Sequence, residues 1–271
     1  MATVATSERV RIAHADHVAD VRLVRADRHN ALDWPMFAAL DEALEELRTT
    51  KGLRAVVLSG EGPSFCSGLD FPSFMGGETE VPDLFAKRDG DIANVAQRVT
   101  YDWQRLPVPV VAALHGHCIG GGCQLALGAD IRIAAPGTRL SIKEIDYGLV
   151  PDMGITQTLP KLVGMDVAKE LTFTGRTVEA GEALALGLVT RVADDPLAAA
   201  TALAQEIAAK SPDAIRAAKR LLSETWDAPA AEALAHEERA QRALLGSPNQ
   251  VAAVTAAFAK APGEFEDPEP A

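Results

Sequence analysis

The chain has few cysteines, an excess of negative charge and no long apolar run. Its 3 cysteines among 271 residues lack CxxC spacing, so we predict reduced thiols that fill space beside glycine turns. A net charge of −12 excludes the basic surface that nucleic acids require and opposes docking on anionic lipid. No apolar run reaches the length of about 18 residues that a membrane helix needs, and there is no basic-then-apolar leader. We therefore expect no membrane span, no secretion and a cytoplasmic protein.

The most informative segment is a strand, a glycine loop and a helix that follow one another. Val110–Leu114 is an apolar run typical of a buried strand, Gly120–Gly122 interrupts it, and Cys123–Leu127 predicts the start of a helix. A helix start leaves unpaired N–H groups and the positive end of the helix dipole facing one space, where an anion binds well. The glycines could equally serve only to let strand and helix pack closely. The spacing matches neither a P-loop nor a GxGxxG motif, so a nucleotide-phosphate site is disfavoured.

A second glycine turn, Phe65-Cys66-Ser67-Gly68-Leu69-Asp70, follows the short apolar strand Ala55–Leu58. The order of this turn and the later Gly-Gly-Gly loop resembles the two diagnostic motifs of the crotonase, or enoyl-CoA hydratase/isomerase, superfamily. The likeness extends over nearly the whole chain, to segments at Asn30–Leu32, Asp130–Ala134, Thr174–Arg176, Gly187–Val189 and Phe258–Lys260. It implies the crotonase (ClpP/crotonase-like) α/β fold, in which repeated ββα units form a mostly parallel sheet.

Periodicity along the chain agrees with this architecture. A helix over Pro35–Arg48 with Asp33 as its cap is followed by strands near 55–58, 109–114, 130–134 and 139–143 that alternate with helices, the pattern of a mostly parallel sheet. We expect a core over residues 1–194 and an Ala-rich helical region over 195–262. The resemblance implies that this region packs a homo-trimer, or a hexamer of two trimers, and covers the active site. The acidic, proline-containing tail 263–271 is predicted to be disordered.

The resemblance also implies a site. The backbone N–H groups of Leu69 and Gly121 would form an oxyanion hole that binds the thioester carbonyl oxygen of an acyl-CoA substrate as it becomes an enolate. Two preorganised donors stabilise such a charge, and loss of one typically costs about 10²- to 10³-fold in rate. Coenzyme A enters as part of the substrate, so no permanently bound cofactor and no metal is expected.

Glu144 and Asp152 are the candidate proton carriers. Glu144 follows the alternating run Arg139–Lys143, which suggests a strand that ends at a carboxylate. Spacing alone favours a different interpretation of Asp152, as the N-cap of a helix over Ile155–Val163, and allows Glu144 to be a surface ion-pair partner. The resemblance implies instead that both carboxylates move protons.

Gln124 occupies a position that is usually acidic in this superfamily. Hydratases carry a glutamate there and a second one at the position of Glu144, and an amide cannot exchange protons at neutral pH. Glu144 and Asp152 resemble the dienoyl-CoA isomerase branch, in which two carboxylates convert a 3,5-diene into a 2,4-diene. Three alternatives stay open: a 3-enoyl to 2-enoyl isomerase that uses Glu144 alone, a hydratase in which Gln124 orients water, and a non-catalytic acyl-CoA binder.

Further residues are placed near the substrate by the resemblance. An acidic protein that binds anionic CoA needs local cations, and the predicted CoA or substrate contacts are Arg25, Arg28, Ser67, Gly68, Asp70, Gly120 and Lys260. The loop 71–82 would border the acyl pocket. Its candidate lining residues, which could equally be packing residues, are Phe71, Phe74, Met75 and Phe85.

Three other residues invite a catalytic interpretation that the sequence does not favour. His115 and His117 flank Gly116, but no ligand-spaced acidic or histidine cluster accompanies them, so we predict a structural role. Ser64 lies in a segment that lacks the final glycine of a GxSxG nucleophile elbow. No serine or cysteine nucleophile is indicated.

Overall fold

A computed structural model describes residues 3–75 and 83–268. The strands are β1 Thr3–Thr6, β2 Val10–Ala15, β3 Val18–Leu23, β4 Ala55–Gly60, β5 Val110–Leu114, β6 His117–Ile119, β7 Ile131–Ala134, β8 Arg139–Ser141, β9 Val178–Glu179 and β10 Arg191–Val192. The helices are α1 Trp34–Thr49, α2 Phe71–Met75, α3 Val95–Arg105, α4 Gly121–Leu127, α5 Ile155–Thr158, α6 Met165–Thr174, α7 Ala180–Leu186, α8 Pro196–Ala208, α9 Pro212–Thr225, α10 Ala230–Leu244 and α11 Pro248–Ala259. Short 3-10 turns occur at Ala26–Arg28, Glu144–Tyr147 and Leu159–Lys161.

The larger sheet has the strand order β1-β2-β3-β4-β5-β7-β10. Its first three strands are antiparallel, and every pairing from β3 to β10 is parallel. A smaller sheet, β6-β8-β9, places Ile119 beside Ser141 in parallel register. The predicted α/β class with a mostly parallel sheet is confirmed. The smaller sheet also brings the strand that leads into the glycine loop alongside the strand that leads towards Glu144.

Helix α1 illustrates how local sequence sets the fold. Asp33 accepts a hydrogen bond from the Met36 amide at 2.9 Å and so caps the helix, as its sequence position predicts. The stripe of Phe37, Leu40 and Leu44 is buried in the main core. The other face of the sheet is covered by α8, whose small residues Ala200, Ala204 and Ala208 approach the strands closely.

The helices after α8 are joined to the core by a buried lysine. The Lys219 ammonium group donates to the Trp103 and Val108 carbonyls at 3.0 and 2.9 Å and pairs with Asp130 at 2.7 Å. Burial lowers the pKa of Lys219, and the three acceptors offset the cost of burying its charge. Helix α9 is thereby fixed to the last turn of α3 and to the segments that precede β5 and β7.

The C-terminal tail corrects one prediction. Residues 263–268 are not disordered, because the Arg54 guanidinium donates to the Phe265 carbonyl at 3.0 Å and to the Asp267 carboxylate at 2.8 Å. Asn249 also exchanges two hydrogen bonds with the Glu266 backbone, at 3.0 and 2.9 Å. A composition typical of disorder is overridden here by long-range partners. The last three predicted positions, 269–271, lie outside the described residues.

Across the described ranges, none of the helices is both long and apolar enough to cross a bilayer.

Candidate active site

The two predicted oxyanion amides lie on adjacent turns. The segment around Leu69 is fixed to Leu32, because the Leu32 amide donates to the Gly68 carbonyl at 2.8 Å and the Asp70 amide donates to the Leu32 carbonyl at 2.9 Å. A Cβ atom at Gly68 would lie 3.6 Å from the Gly121 nitrogen, which places the two turns side by side. Within residues 3–75 and 83–268, neither the Leu69 nor the Gly121 N–H has an acceptor. Two donors without a partner in these ranges therefore lie on neighbouring turns.

Gly120 allows the Glu144 carboxylate to approach these amides. Its backbone has a φ of 54° and a ψ of −124°, a combination that only glycine adopts readily. A Cβ atom there would lie 3.3 Å from Glu144 Oε1. The carboxylate therefore lies directly against the loop that carries the Gly121 amide.

The surroundings of Glu144 suit proton transfer. The residue is half-buried at the start of the 3-10 turn Glu144–Tyr147, and its Oε1 accepts a hydrogen bond from Gln124 Nε2 at 2.7 Å. Its Oε2 is buried and has no protein partner in the described part of the chain. Burial, and to a lesser extent the charge of Asp152, raise the pKa of Glu144 above 4.5, against the opposing effect of the Gln124 hydrogen bond. One carboxylate oxygen is held by Gln124, and the other has an unused hydrogen-bonding capacity within the described residues.

Gln124 connects Glu144 to the backbone of Met153, the residue after Asp152. Its side chain is buried in α4, and its Oε1 accepts from the Met153 amide at 2.9 Å while its Nε2 donates to Glu144. These partners fix the orientation of the carboxamide, because an amide nitrogen cannot accept from the Met153 N–H. The sequence shows the missing acid at this position but not this bridge.

Asp152 is not a helix cap. The N-cap of α5 is Gly154, which has no side-chain bond to the helix, so the interpretation favoured by spacing alone is wrong. The residue keeps an exposed surface, yet nearby protein atoms displace enough water from its carboxyl group to raise the pKa of Asp152. Its charge acts on Glu144. Glu144 is also not the surface ion-pair partner of Lys143 that its sequence position allows, because Lys143 pairs with Asp146 at 2.7 Å.

Some of the predicted CoA contacts are paired with other protein groups, and others are exposed. The Arg25 guanidinium is 2.6 Å from Asp70 and 3.3 Å from Asp33, and it donates to the Ala31 carbonyl at 2.9 Å. Burial raises the pKa of Asp70, but the bonds and charge of Arg25 outweigh it, so the net shift is downward. Arg25 and Asp70 thus stabilise the turn around Leu69. Arg28 is exposed beside them.

The remaining predicted contacts differ in their distance from this site. The Ser67 amide donates to the His29 carbonyl at 3.0 Å, so Ser67 belongs to the same turn as Gly68. Lys260 ends α11 with a φ of 52° and is exposed. Within the described ranges of this one chain, no recorded contact joins Lys260 to the site residues.

Aromatic residues flank the site on the side of α2. Phe71 stacks on Tyr147 with ring centroids 4.2 Å apart, which links the oxyanion turn to the turn that carries Glu144. Phe74 packs on Trp34 at 4.3 Å, and Phe85 is exposed. Nothing in the sequence signals Tyr147, because its partner is distant along the chain. Positions 76–82 of the predicted acyl-pocket loop, and the Met75 side chain, lie outside the described residues.

The histidines and cysteines near the glycine turns have structural partners. His115 Nε2 donates to the Gly62 carbonyl at 2.9 Å, and His117 Nδ1 lies 3.0 Å from the Ser64 hydroxyl. The three cysteines are free and buried, as predicted. Burial raises the pKa of Cys66 to about 12, and its thiol donates to the Asn30 carbonyl at 3.0 Å. Among the described residues, no group of three or more His, Cys, Asp or Glu side chains could hold a metal ion.

The chain is similar to known proteins over most of its length. The sequence family described as enoyl-CoA hydratase/isomerase matches residues 13–267. The human mitochondrial Delta(3,5)-Delta(2,4)-dienoyl-CoA isomerase is 35% identical over 264 residues, which cover 92% of this chain and 79% of the relative. Mouse mitochondrial methylglutaconyl-CoA hydratase is 29% identical over 274 residues, covering 97% of this chain and 85% of the relative.

Solved structures give the same result for the fold. The crystal structure of an enoyl-CoA hydratase from Mycobacterium tuberculosis H37Rv has a TM-score of 0.85 and 28% sequence identity, and the match covers 96% of this chain and 99% of that one. The crotonase fold predicted from the two glycine motifs is therefore confirmed. From its sequence, its fold and the arrangement of its two glycine turns, this chain belongs to the enoyl-CoA hydratase/isomerase family of crotonase enzymes.

Proposed function

We propose that this chain is a double-bond isomerase that converts 3,5-dienoyl-CoA into 2,4-dienoyl-CoA. The observation that carries the proposal is the pair Glu144 and Asp152, two carboxyl groups with raised pKa values. Glu144 lies against the glycine loop that carries the Gly121 amide, and the charge of Asp152 acts on Glu144. The human relative named for this reaction supports it. Coenzyme A arrives as part of the substrate, so the reaction needs no permanently bound cofactor.

The proposed reaction balances with these groups alone. The thioester oxygen accepts from the Leu69 and Gly121 N–H groups, and Glu144 Oε2 removes a proton from C2. The electron pair of that C–H bond forms C2=C3, the C3=C4 pair forms C4=C5, and the C5=C6 pair takes a proton at C6 from the acid form of Asp152. Glu144 ends protonated and Asp152 ionised, and exchange with solvent restores both. Two carboxylates are needed because C2 and C6 are far apart.

A hydratase is the second candidate, favoured by a specific observation at Gln124. Its Nε2 has two hydrogens, and only one is used by Glu144. The other could orient a water molecule, with Glu144 performing all proton transfer. The mouse relative is named as a hydratase. Gln124 itself supplies no second acid or base, which is why we place hydration behind isomerisation.

Three substrates separate these possibilities. Purified protein is mixed with 3,5-octadienoyl-CoA, 3-octenoyl-CoA or 2-octenoyl-CoA while ultraviolet absorbance and product mass are followed. We expect the conjugated 2,4-diene from the first substrate with no change in mass. Gain of the mass of water by 2-octenoyl-CoA alone would establish the hydratase instead. Tight binding of all three without reaction would indicate a non-catalytic acyl-CoA binder.

The ionisation of Glu144 predicts the pH dependence of C2 proton exchange into deuterated solvent. Glu144 must be ionised to act as a base, so the rate should fall as the pH drops through its pKa, at a pH above the ordinary value of 4.5. Gln124→Leu removes the hydrogen bond that lowers this pKa and should move the midpoint to higher pH. If the pH midpoint of the exchange rate were unchanged in Gln124→Leu, the fall in rate at low pH would not come from Glu144.

We further propose that the core over 1–194 is completed by association through the helices of 195–262, as a trimer or a hexamer. Large apolar side chains are exposed on these helices in the single chain, namely Leu222, Trp226, Leu234, Leu245, Val251 and Phe258. Burial of such a surface between subunits is favourable. Lys260, at the end of α11, could then reach a neighbouring site. The cytoplasmic location stays a prediction, and the two curated relatives described above are mitochondrial.

A further inference from the structure

A buried hydroxyl joins two histidines behind the oxyanion turn. Ser64 is fully buried, and its Oγ lies 2.9 Å from His29 Nδ1 and 3.0 Å from His117 Nδ1. The two rings are nearly perpendicular, at 79°, with centroids 5.5 Å apart. The His117 backbone N–H also donates to Ser64 Oγ at 3.2 Å. The proposed reaction uses none of these three side chains.

The hydrogen atoms in this cluster can be assigned by counting. A hydroxyl group has one proton to donate and two lone pairs that accept. The His117 backbone amide uses one lone pair, so a single imidazole N–H can use the other, and the hydroxyl proton must point to the second imidazole. The two Nδ1 atoms therefore have opposite roles, and His29 and His117 hold opposite tautomers when both are neutral.

The cluster links the chain segments that carry the oxyanion amides. Beside the Ser64 bonds, the Ser67 amide donates to the His29 carbonyl at 3.0 Å and the Cys66 amide donates to the His117 carbonyl at 3.0 Å. Leu69 lies two residues after Ser67, and the strand that begins at His117 leads through Ile119 to Gly121. The hydroxyl of Ser64 is thus a common anchor for both donors.

We propose that Ser64, held between His29 and His117, is a positioning residue for the oxyanion hole, and that it acts only while no more than one of the two imidazoles is charged. One imidazolium fits the cluster, since the histidine that already donates to Ser64 can gain a proton on its other nitrogen. A second imidazolium would present another N–H to an oxygen with no free lone pair. It would also bring two positive charges close together.

Charged neighbours add to this limit. Arg28 precedes His29 in the chain, and Arg139 is the register partner of His117 in the smaller sheet, so a basic residue adjoins each histidine along the backbone. A third histidine, His115, lies on the same segment as His117. The acidic groups on the adjoining segments are Asp27, Glu61, Asp70 and Glu179, of which Asp70 is paired with Arg25 and Glu61 with Arg11. Neither His29 nor His117 forms an ion pair in the described part of the chain.

The chain offers a matched set of variants. His29 has a φ of 51°, a left-handed conformation that asparagine tolerates well, so His29→Asn keeps the backbone and a polar group near Nδ1 without a titrating ring. His17, in the turn between β2 and β3, has a φ of 65° and is the control as His17→Asn. Ser64→Ala removes the anchor itself.

The first measurement is histidine side-chain NMR of the intact, ¹⁵N-histidine-labelled protein at about pH 8, where imidazoles are neutral. One of the pair should carry its proton on Nδ1 and the other on Nε2. Identical tautomers for His29 and His117 would refute the hydrogen-bond assignment. This result does not depend on turnover, and it tests the cluster even if a variant folds poorly.

The second measurement is the ultraviolet red shift of bound 2,4-hexadienoyl-CoA, which reports polarisation of the thioester carbonyl without turnover. Ser64→Ala should reduce the shift. Ser64→Ala should also slow C2 proton exchange by about 10- to 100-fold. The loss should lie in kcat, with KM little changed, because the oxyanion contact strengthens in the transition state. Full shift and full kcat in folded Ser64→Ala would overturn the proposal.

Acidification to about pH 5.5 tests the charge limit. The red shift should shrink in wild type and His17→Asn but persist in His29→Asn, whose Glu144 titrates as in wild type. If the red shift shrank equally in wild type, His17→Asn and His29→Asn, the proposed charge limit would be overturned. The catalytic readout rests on the proposed function, whereas the red shift does not. A shift that behaves as expected in a protein without isomerase activity would reject the proposed function and retain this inference.

Discussion

Replacing Glu144 by glutamine should abolish C2 proton removal and, with it, every double-bond shift that this protein performs. Glutamine keeps the shape of the side chain and can still accept from Gln124 Nε2, so the site should remain folded. It cannot take up a proton. General-base catalysis typically contributes about 10²- to 10⁴-fold, and we expect kcat for 3,5-octadienoyl-CoA to fall by that factor.

Thermal unfolding shows whether this loss is chemical. The pKa of Glu144 is raised in the folded protein, so the folded state binds a proton more tightly than the unfolded state does. Its effect on stability is then most favourable at low pH and is lost as the pH rises through the folded pKa. At neutral pH the ionised carboxylate destabilises the fold, and Glu144→Gln should be at least as stable as wild type.

Asp146 supplies the matched control. It is a carboxylate on the same 3-10 turn, exposed and paired with Lys143, away from the glycine loop. Asp146→Asn should keep wild-type kcat. Equal losses in Asp146→Asn and Glu144→Gln would mean that the turn, and not the base, had been damaged, and retained activity in Glu144→Gln would remove Glu144 from the mechanism.

Asp152→Asn should separate the two ends of the reaction. Without an acid at C6, formation of the 2,4-diene should fall by about 10²- to 10⁴-fold. Exchange of the C2 proton should continue, because Glu144 and the two amides are intact. Since the charge of Asp152 contributes to the raised pKa of Glu144, the acid limb of that exchange should also move to lower pH.

Mass spectrometry in deuterated water measures both events in one sample. Deuterium at C2 without a shift in absorbance near the diene band is the expected signature of Asp152→Asn. If diene formation and C2 exchange were lost together, Asp152 would be needed for the first step, and the assignment of one carboxylate to each end would be wrong. If neither changed, Glu144 alone would perform the isomerisation.

Features set by neighbouring residues could be predicted from the sequence. Asp33 caps α1 three residues before its hydrogen-bond partner, and the apolar stripe of that helix is buried as its spacing requires. The two glycine turns and the parallel strands are likewise local patterns. They were sufficient to identify the fold, and the oxyanion role of Leu69 and Gly121 on these turns stays a prediction.

Features set by distant contacts could not be predicted in the same way. Spacing favoured Asp152 as a cap, but the cap position is taken by Gly154. The predicted CoA contact Arg25 has ion-pair partners, Asp70 and Asp33, that its local sequence does not reveal. The tail near Asp267 has the composition of a flexible segment, yet Arg54, 213 residues earlier in the sequence, binds it. Each outcome depends on a partner that only the fold identifies.

The predicted strand before Glu144 also ended earlier than its alternation suggested. The strand β8 stops at Ser141, whose hydroxyl donates to the Gly175 carbonyl at 2.8 Å, and the chain then turns so that Glu144 begins a 3-10 turn. That turn directs the carboxylate towards the glycine loop.

Cys66 lies directly behind the turn that would hold a thioester, and an ionised cysteine there could compete with the intended chemistry. A thiolate attacks thioesters readily, and the product would be an enzyme with the acyl group on its own sulfur and coenzyme A set free. Burial raises the pKa of Cys66 to about 12, and its proton is shared with the Asn30 carbonyl. At neutral pH the sulfur is therefore almost never a nucleophile, and the acyl group remains on its carrier.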